Sequence, residues 1–160
     1  MYILKAYMIV KMQTAFINSP LGITKIVGDE NGITEISVTS EGVISEIIPT
    51  ELQEAATQLS DYFDGKRKDF NFKLNPKGTD FQQKVWQELL QIPFGKTISY
   101  LDLSKKLGDV KAIRAVASAN GKNPLWIVVP CHRVIGTDGS LTGYAGGLWR
   151  KKWLLEHENP

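Results

Sequence analysis

Apolar and polar positions change rhythm twice along this chain. Residues 14–18, 22–27 and 33–38 alternate like short, half-buried strands. Between the last two, Asp29-Glu30-Asn31-Gly32 carries the Asn-Gly pair that favours a tight hairpin. Leu52, Ala55, Ala56, Leu59, Tyr62 and Phe63 then recur at helical spacing, from a start at Pro49-Thr50 to a stop at Gly65. The pattern predicts a small sheet with one helix. Residues 66–78, with Pro76 and mixed charge, read as a connecting segment.

Beyond it the period is helical. Thr79 and Gln82 form a capping box ahead of Phe81, Val85, Trp86, Leu89 and Leu90 on one face, and Ile92-Pro93-Phe94-Gly95 closes that helix. Ser99 with Asp102 starts a second, carrying Leu101, Leu103 and Leu107 to a stop at Gly108. Asp109 caps a third over residues 110–120, terminated by Gly121. Two short helices joined by a glycine-containing turn make a helix-turn-helix pattern. In the third, Ile113 and Val116 face inward with Ala112 and Ala117, while Lys111, Arg114, Ala115, Ser118 and Lys122 lie outside. That basic face of small side chains suits a nucleic-acid groove, although such a face taken alone is more often merely solvated. Ile127-Val128-Val129 reads as a buried strand, and a last helix spans residues 148–157. The expected class is α+β, with a sheet-and-helix unit and linker in residues 1–78 and a helical unit in residues 79–160.

The 160 residues are 42% hydrophobic and 22% charged, a soluble globular profile. The apolar start, residues 1–10, is broken by Lys5 and too short to span a bilayer. Met12-Gln13-Thr14-Ala15-Phe16 reads as the start of the first strand, with residues 1–11 as an extension. A single cysteine allows no internal disulfide, and Cys and His show no metal-ligand spacing; a reducing, cytoplasmic setting without metal is expected. The net charge of +2 hides an asymmetry: residues 1–80 carry 8 basic and 11 acidic side chains, residues 81–160 carry 11 and 6. A polyanion would meet the second half.

Three stretches bear on chemistry. The apolar run delivers the chain into Pro130-Cys131-His132-Arg133-Val134-Ile135-Gly136. A lone cysteine is more often an inert core residue, but His132 and Arg133 put two potential cations beside this one, which would favour an ionised, nucleophilic sulfur. Gly95-Lys96-Thr97 imitates the end of a phosphate-binding loop, yet the required earlier glycine falls on Leu90. The glycine-rich residues 139–147 are either an ordinary surface loop or a lid presenting backbone amides. In the last helix Arg150, Lys151 and Lys152 lie near the start and Glu156 and Glu158 near the end, where acids oppose the helix dipole. Such a carboxylate either sits in water or has an internal partner.

Taken together, Asn123-Pro124, residues 127–136 and Leu141-Thr142-Gly143-Tyr144-Ala145-Gly146-Gly147-Leu148 resemble the O6-alkylguanine-DNA alkyltransferases. Phe81-Gln82-Gln83-Lys84-Val85-Trp86 and Ile98-Ser99-Tyr100 fall in the same order and spacing. The likeness covers residues 81–158, whereas the first 78 residues resemble the family only in organisation. It implies irreversible, once-only transfer of an alkyl group from O6-alkylguanine, and from O4-alkylthymine, in double-stranded DNA to Cys131, by a monomer without cofactor. His132 would activate Cys131 through a water, with Glu158 polarising His132. Arg114, on a helix in the minor groove, would fill the space left by the extruded nucleotide; Tyr100 would assist flipping and donate to the leaving guanine; Asn123 would brace the turn before the cysteine. Backbone carbonyls of Cys131 and Val134 would read the guanine amine, and the Ala145 amide would approach O6. Ser118 and Lys111 would meet the DNA. Ala145 departs from the serine of some members, which leaves that backbone contact intact. Two alternatives compete: a lesion-binding protein without transfer, against which Cys131 argues, and a cysteine hydrolase that turns over.

Overall fold

The computed structural model describes residues 11–160, so the expected extension over residues 1–11 lies almost wholly outside the described residues. Three strands, β1 (Gln13–Ser19), β2 (Gly22–Asp29) and β3 (Gly32–Thr39), form an antiparallel meander in the order β1-β2-β3. The β2–β3 turn is closed by the Asn31 amide donating to Asp29 Oδ1 at 2.7 Å, with Gly32 at φ +128°. Alternation sends Ala15, Ile17, Ile26 and Ile36 into the core, where α1 (Thr50–Phe63) covers the sheet with all six residues of its apolar stripe buried.

The segment after α1 is no loose linker. Ile33 donates to the Lys73 carbonyl at 2.9 Å and Asn75 to the Ile33 carbonyl at 2.7 Å, so residues 73–75 lie along one end of β3. Further along the strand Ile36 donates to Pro124 O at 2.8 Å and accepts from Trp126 at 3.0 Å. The second half of the chain thereby covers part of a sheet edge that would otherwise leave its backbone groups open.

The second half holds α2 (Asp80–Leu89), the two-residue strand β4 (Ile98–Ser99), α3 (Tyr100–Lys106), α4 (Ile113–Gly121), β5 (Val134–Ile135) and α5 (Leu148–Glu158). Both halves of the Thr79/Gln82 capping box form, and Ser99 caps α3. Phe81 and Leu90, placed on the buried stripe of α2 by their spacing, are exposed; only Val85, Trp86 and Leu89 turn inward. The third helix begins as a single 3₁₀ turn over Val110–Ala112, with the Lys111 amide bonded to Asp109. α3 and α4 pack as the helix-turn-helix, and the Trp86 indole donates to Ala119 O at 2.9 Å, tying α2 to the end of α4. One continuous apolar core runs through both halves.

The expected strand at Ile127-Val128-Val129 is a buried turn. Ile127 has φ +75°, Val128 donates to Trp126 O at 2.8 Å, and Val129 donates to Leu125 O at 3.0 Å. Three successive apolar residues signalled burial correctly, but among the described residues no strand pairs with them, β3 reaching only as far as Trp126, so the backbone satisfies itself locally.

Gly78 is fixed by packing: a Cβ there would lie 2.7 Å from Trp86 Cζ3 and 2.8 Å from the Gln82 amide oxygen. Gly78→Ala is expected to cost about 1–3 kcal/mol through overpacking, read as a lower urea midpoint at unchanged slope.

Candidate active site

Asn123 organises the turn that leads to the cysteine. Its side-chain oxygen accepts from the Leu125 amide at 2.9 Å, and its side-chain nitrogen donates to Val129 O at 2.7 Å. With Asn123 buried, these bonds hold Ile127 in a conformation that β-branched residues seldom adopt. The chain then enters a 3₁₀ turn, Cys131–Arg133, whose three side chains are all buried.

The acid at the end of α5 has internal partners. His132 Nε2 lies 2.8 Å from Glu158 Oε2; Arg133 donates from Nε to Oε1 at 2.7 Å and from Nη2 to Oε2 at 2.9 Å; the Tyr62 hydroxyl donates to Oε2 at 2.6 Å. Burial pushes the Glu158 carboxyl up, but the hydrogen bonds from His132 and Arg133 and the Arg133 charge outweigh it and hold the group well below the usual carboxylate range. An ionised carboxylate only accepts, so His132 carries a hydrogen on Nε2. Burial pushes the imidazole below its ordinary value against the pull of Glu158, leaving it neutral with a bare lone pair on Nδ1. That Nδ1 is buried and has no hydrogen-bond partner.

The sulfur differs from the sequence expectation. Cys131 is 4% exposed, and burial pushes its thiol up to about 11, although the Asn123 amide, the Lys151 charge and backbone amides pull the other way. Both cations expected beside it turn instead to Glu158, Arg133 completing its bonds at Ile92 O, 2.7 Å away. The resting group is a thiol rather than a standing thiolate.

A cavity of about 580 Å³ is walled by Tyr100, by Ile113, Arg114, Ala117 and Gly121 of α4, and by Thr142–Ala145; Cys131 is not itself in the wall. Ile113 and Ala117, expected to face the core, line this cavity instead, because the core stripe of α4 is Val116, Ala119 and Asn120. Burial first and the Cys131 charge second push the hydroxyls of Tyr100 and Tyr144 above the ordinary tyrosine value, which puts both within electrostatic reach of the sulfur. The Tyr144 hydroxyl is buried without a partner.

The glycine-rich loop is a built wall. Lys151, fully buried on α5, donates to Val134 O at 2.6 Å and to Thr142 O at 2.9 Å, lashing the loop to β5. Thus Cys131, His132, Glu158 and Asn123 come together, and Tyr100, Arg114 and Ala145 line the cavity. The Val134 carbonyl faces Lys151, while Ser118 and Lys111 sit exposed outside the cavity lining. Tyr62, Tyr144, Lys151 and the role of Arg133 escaped the sequence reading. For Lys151 a signal existed: it shares the phase of the buried Leu154 and Glu158, three and seven residues on, whereas Arg150 and Lys152 do not. Among the described residues no three His, Cys, Asp or Glu side chains gather as metal ligands, and no helix is long and apolar enough to cross a membrane.

Known proteins resemble this chain over most of its length. Residues 12–76 match the ribonuclease-like domain of 6-O-methylguanine DNA methyltransferases, and residues 80–160 match their DNA binding domain. A methylated-DNA–protein-cysteine methyltransferase of Methanosarcina barkeri is 44% identical over 149 residues, covering 89% of this chain and 94% of its own. The constitutive enzyme of that name from Bacillus subtilis is 47% identical over 146 residues, covering 86% and 88%. The O6-methylguanine methyltransferase of Mycobacterium tuberculosis superposes with a TM-score of 0.83 at 41% identity, covering 92% and 93%; in complex with DNA it matches equally well, with 43% identity and 91% of each chain. Since both halves match consecutive domains of one family, the first half included, the chain belongs to the 6-O-methylguanine DNA methyltransferases.

Proposed function

We propose that this protein repairs alkylated duplex DNA by moving the alkyl group from O6 of guanine onto Cys131, once per molecule. The observation that carries the reading is the placement of His132, whose Nε2 meets Glu158 at 2.8 Å while its Nδ1 stays buried and unpartnered on the residue next to the thiol. In the reaction the Cys131 proton passes to Nδ1 through a water. The sulfur attacks the alkyl carbon, the carbon–O6 bond breaks, and its electron pair stays on guanine, which Tyr100 meets with a proton or hydrogen bond. The His132 imidazolium so formed is stabilised by Glu158. The product is a thioether that water does not cleave, so the protein is consumed; no cofactor takes part.

The damaged base must leave the stack to reach the sulfur, at a cost of a few kcal/mol. Arg114 at the cavity wall fills the gap from the minor-groove side, and the exposed Lys111 and Ser118 of the helix-turn-helix meet the backbone. The Asn123-braced turn fixes where the sulfur stands. Carbonyls of Cys131 and Val134 read the guanine amine; Val134 O retains a second lone pair beside its bond to Lys151. The Ala145 amide approaches O6. O4-alkylthymine belongs to the same reading as a second substrate, as do a monomeric state and a cytoplasmic setting in which a lone thiol stays reduced.

Mixed with duplex carrying O6-methylguanine, the protein should gain one methyl by intact-mass spectrometry and stop there; sustained turnover would indicate a hydrolase instead. Cys131→Ala should gain nothing yet hold the duplex in a gel-shift assay. Arg114→Ala should slow repair in duplex by about 10- to 100-fold, the equivalent of roughly 1.4–2.7 kcal/mol, while attack on the free alkylated base is unchanged. Equal loss on both substrates would remove the flipping role. Finally, with the thiol pushed up to about 11, alkylation of Cys131 by iodoacetamide should climb roughly tenfold per pH unit between pH 7 and 10; a plateau by pH 8 would contradict a protonated resting sulfur.

A further inference from the structure

Both halves of the chain supply hydrogen bonds to Glu158. Three donors come from the turn after Cys131, namely His132 Nε2 and two nitrogens of Arg133. The fourth arrives from 96 residues earlier: the hydroxyl of Tyr62, in the last turn of α1, donates to Oε2, the oxygen that also faces His132. Tyr62 is fully buried, its ring held by Phe63, Phe70 and Phe94 at centroid distances of 5.5, 5.4 and 6.2 Å, with His157 at 5.1 Å. His157 Nε2 also bonds the Tyr62 carbonyl at 2.6 Å, so the end of α1 is pinned to the end of α5 on both sides of that ring.

We propose that Tyr62 is a positioning residue of the alkyl-transfer site, its hydroxyl sharing the Glu158 oxygen that faces His132 and so setting how strongly Glu158 draws a second proton onto His132. The proposal rests on the function given above. Glu158 Oε2 accepts from Tyr62, from Arg133 Nη2 and from His132, and so spreads its charge over three donors. Without the phenol, that charge falls on His132 and favours the imidazolium, which has no lone pair on Nδ1 and cannot take the thiol proton. Tyr62 therefore keeps the base in its working form. The other charged groups acting on the imidazole are Arg133 of its own turn and Lys151 and Glu158 of α5, with Cys131 next to it in the chain and Tyr144 acting on Cys131 and Glu158. Arg133 and Lys151 oppose a second positive charge and so act in the same direction as Tyr62. The phenol remains a donor throughout, since burial and Glu158 push it far above the ordinary tyrosine value.

The test compares the full-length wild type with Tyr62→Phe, which keeps the ring. Single-turnover methyl transfer from methylated duplex is followed from pH 4.5 to 8.5, and His132 is titrated by nitrogen NMR on the free protein. In the variant the His132 titration and the acid limb of transfer should move up together by roughly 0.5–1 pH unit. On the acid side of the limb transfer then falls by up to about 3- to 10-fold, the rate at pH 8.5 stays within about twofold, and duplex binding is unchanged. Phe70→Leu, a packing lesion against the same ring, should lower the melting temperature without moving the limb. If Tyr62→Phe is too unstable to assay, 3-fluorotyrosine at position 62, a stronger donor, should move the titration down instead. Superimposable curves, or a uniform loss at every pH, would leave Tyr62 a packing role and overturn the proposal. Failure of the wild type to take up methyl at any pH would sink the repair reading, while the His132 titration would still judge Tyr62.

Discussion

An ionised carboxylate taken out of water must recover its hydrogen bonds inside the protein, and Glu158 does so with four donors drawn from α1 and from the turn after Cys131. The requirement fixes much else. Arg133 is turned away from the sulfur, the His132 ring is oriented with one nitrogen committed and the other bare, and the ends of α1 and α5 are held together. A gap in this ring of donors would leave a buried charge short of a partner, so the four side chains hold one another in place.

The resting thiol follows from the same withdrawal. Burial that would make a bare thiolate costly also protects the cysteine from incidental electrophiles, since the thiolate is the reactive form.

The cavity is shaped by elements that have little order of their own. Residues 141–147 carry no regular secondary structure, yet a buried lysine on α5 holds the loop by two carbonyls, one of them on the short strand leading away from the cysteine. The ammonium is pushed below its ordinary value by burial and still contributes positive charge toward the sulfur. Opposite it, α4 presents small residues and Arg114 along one stripe while the adjacent stripe packs into the core.

The sequence alone determined the hairpin, the stripe of α1, and the caps of α2 and α3, because each rests on contacts within a few residues where spacing and propensity decide. It determined burial at Ile127-Val128-Val129 but not conformation, since hydrophobicity measures exclusion from water and is silent on which backbone partners are at hand. Lys151 was legible only through helical phase. Tyr62, the orientation of Arg133 and the protonated state of the sulfur were decided by tertiary structure: each depends on which charge lies beside which group once distant segments meet, and no local rule relates positions 62, 133 and 158 before the core brings them together.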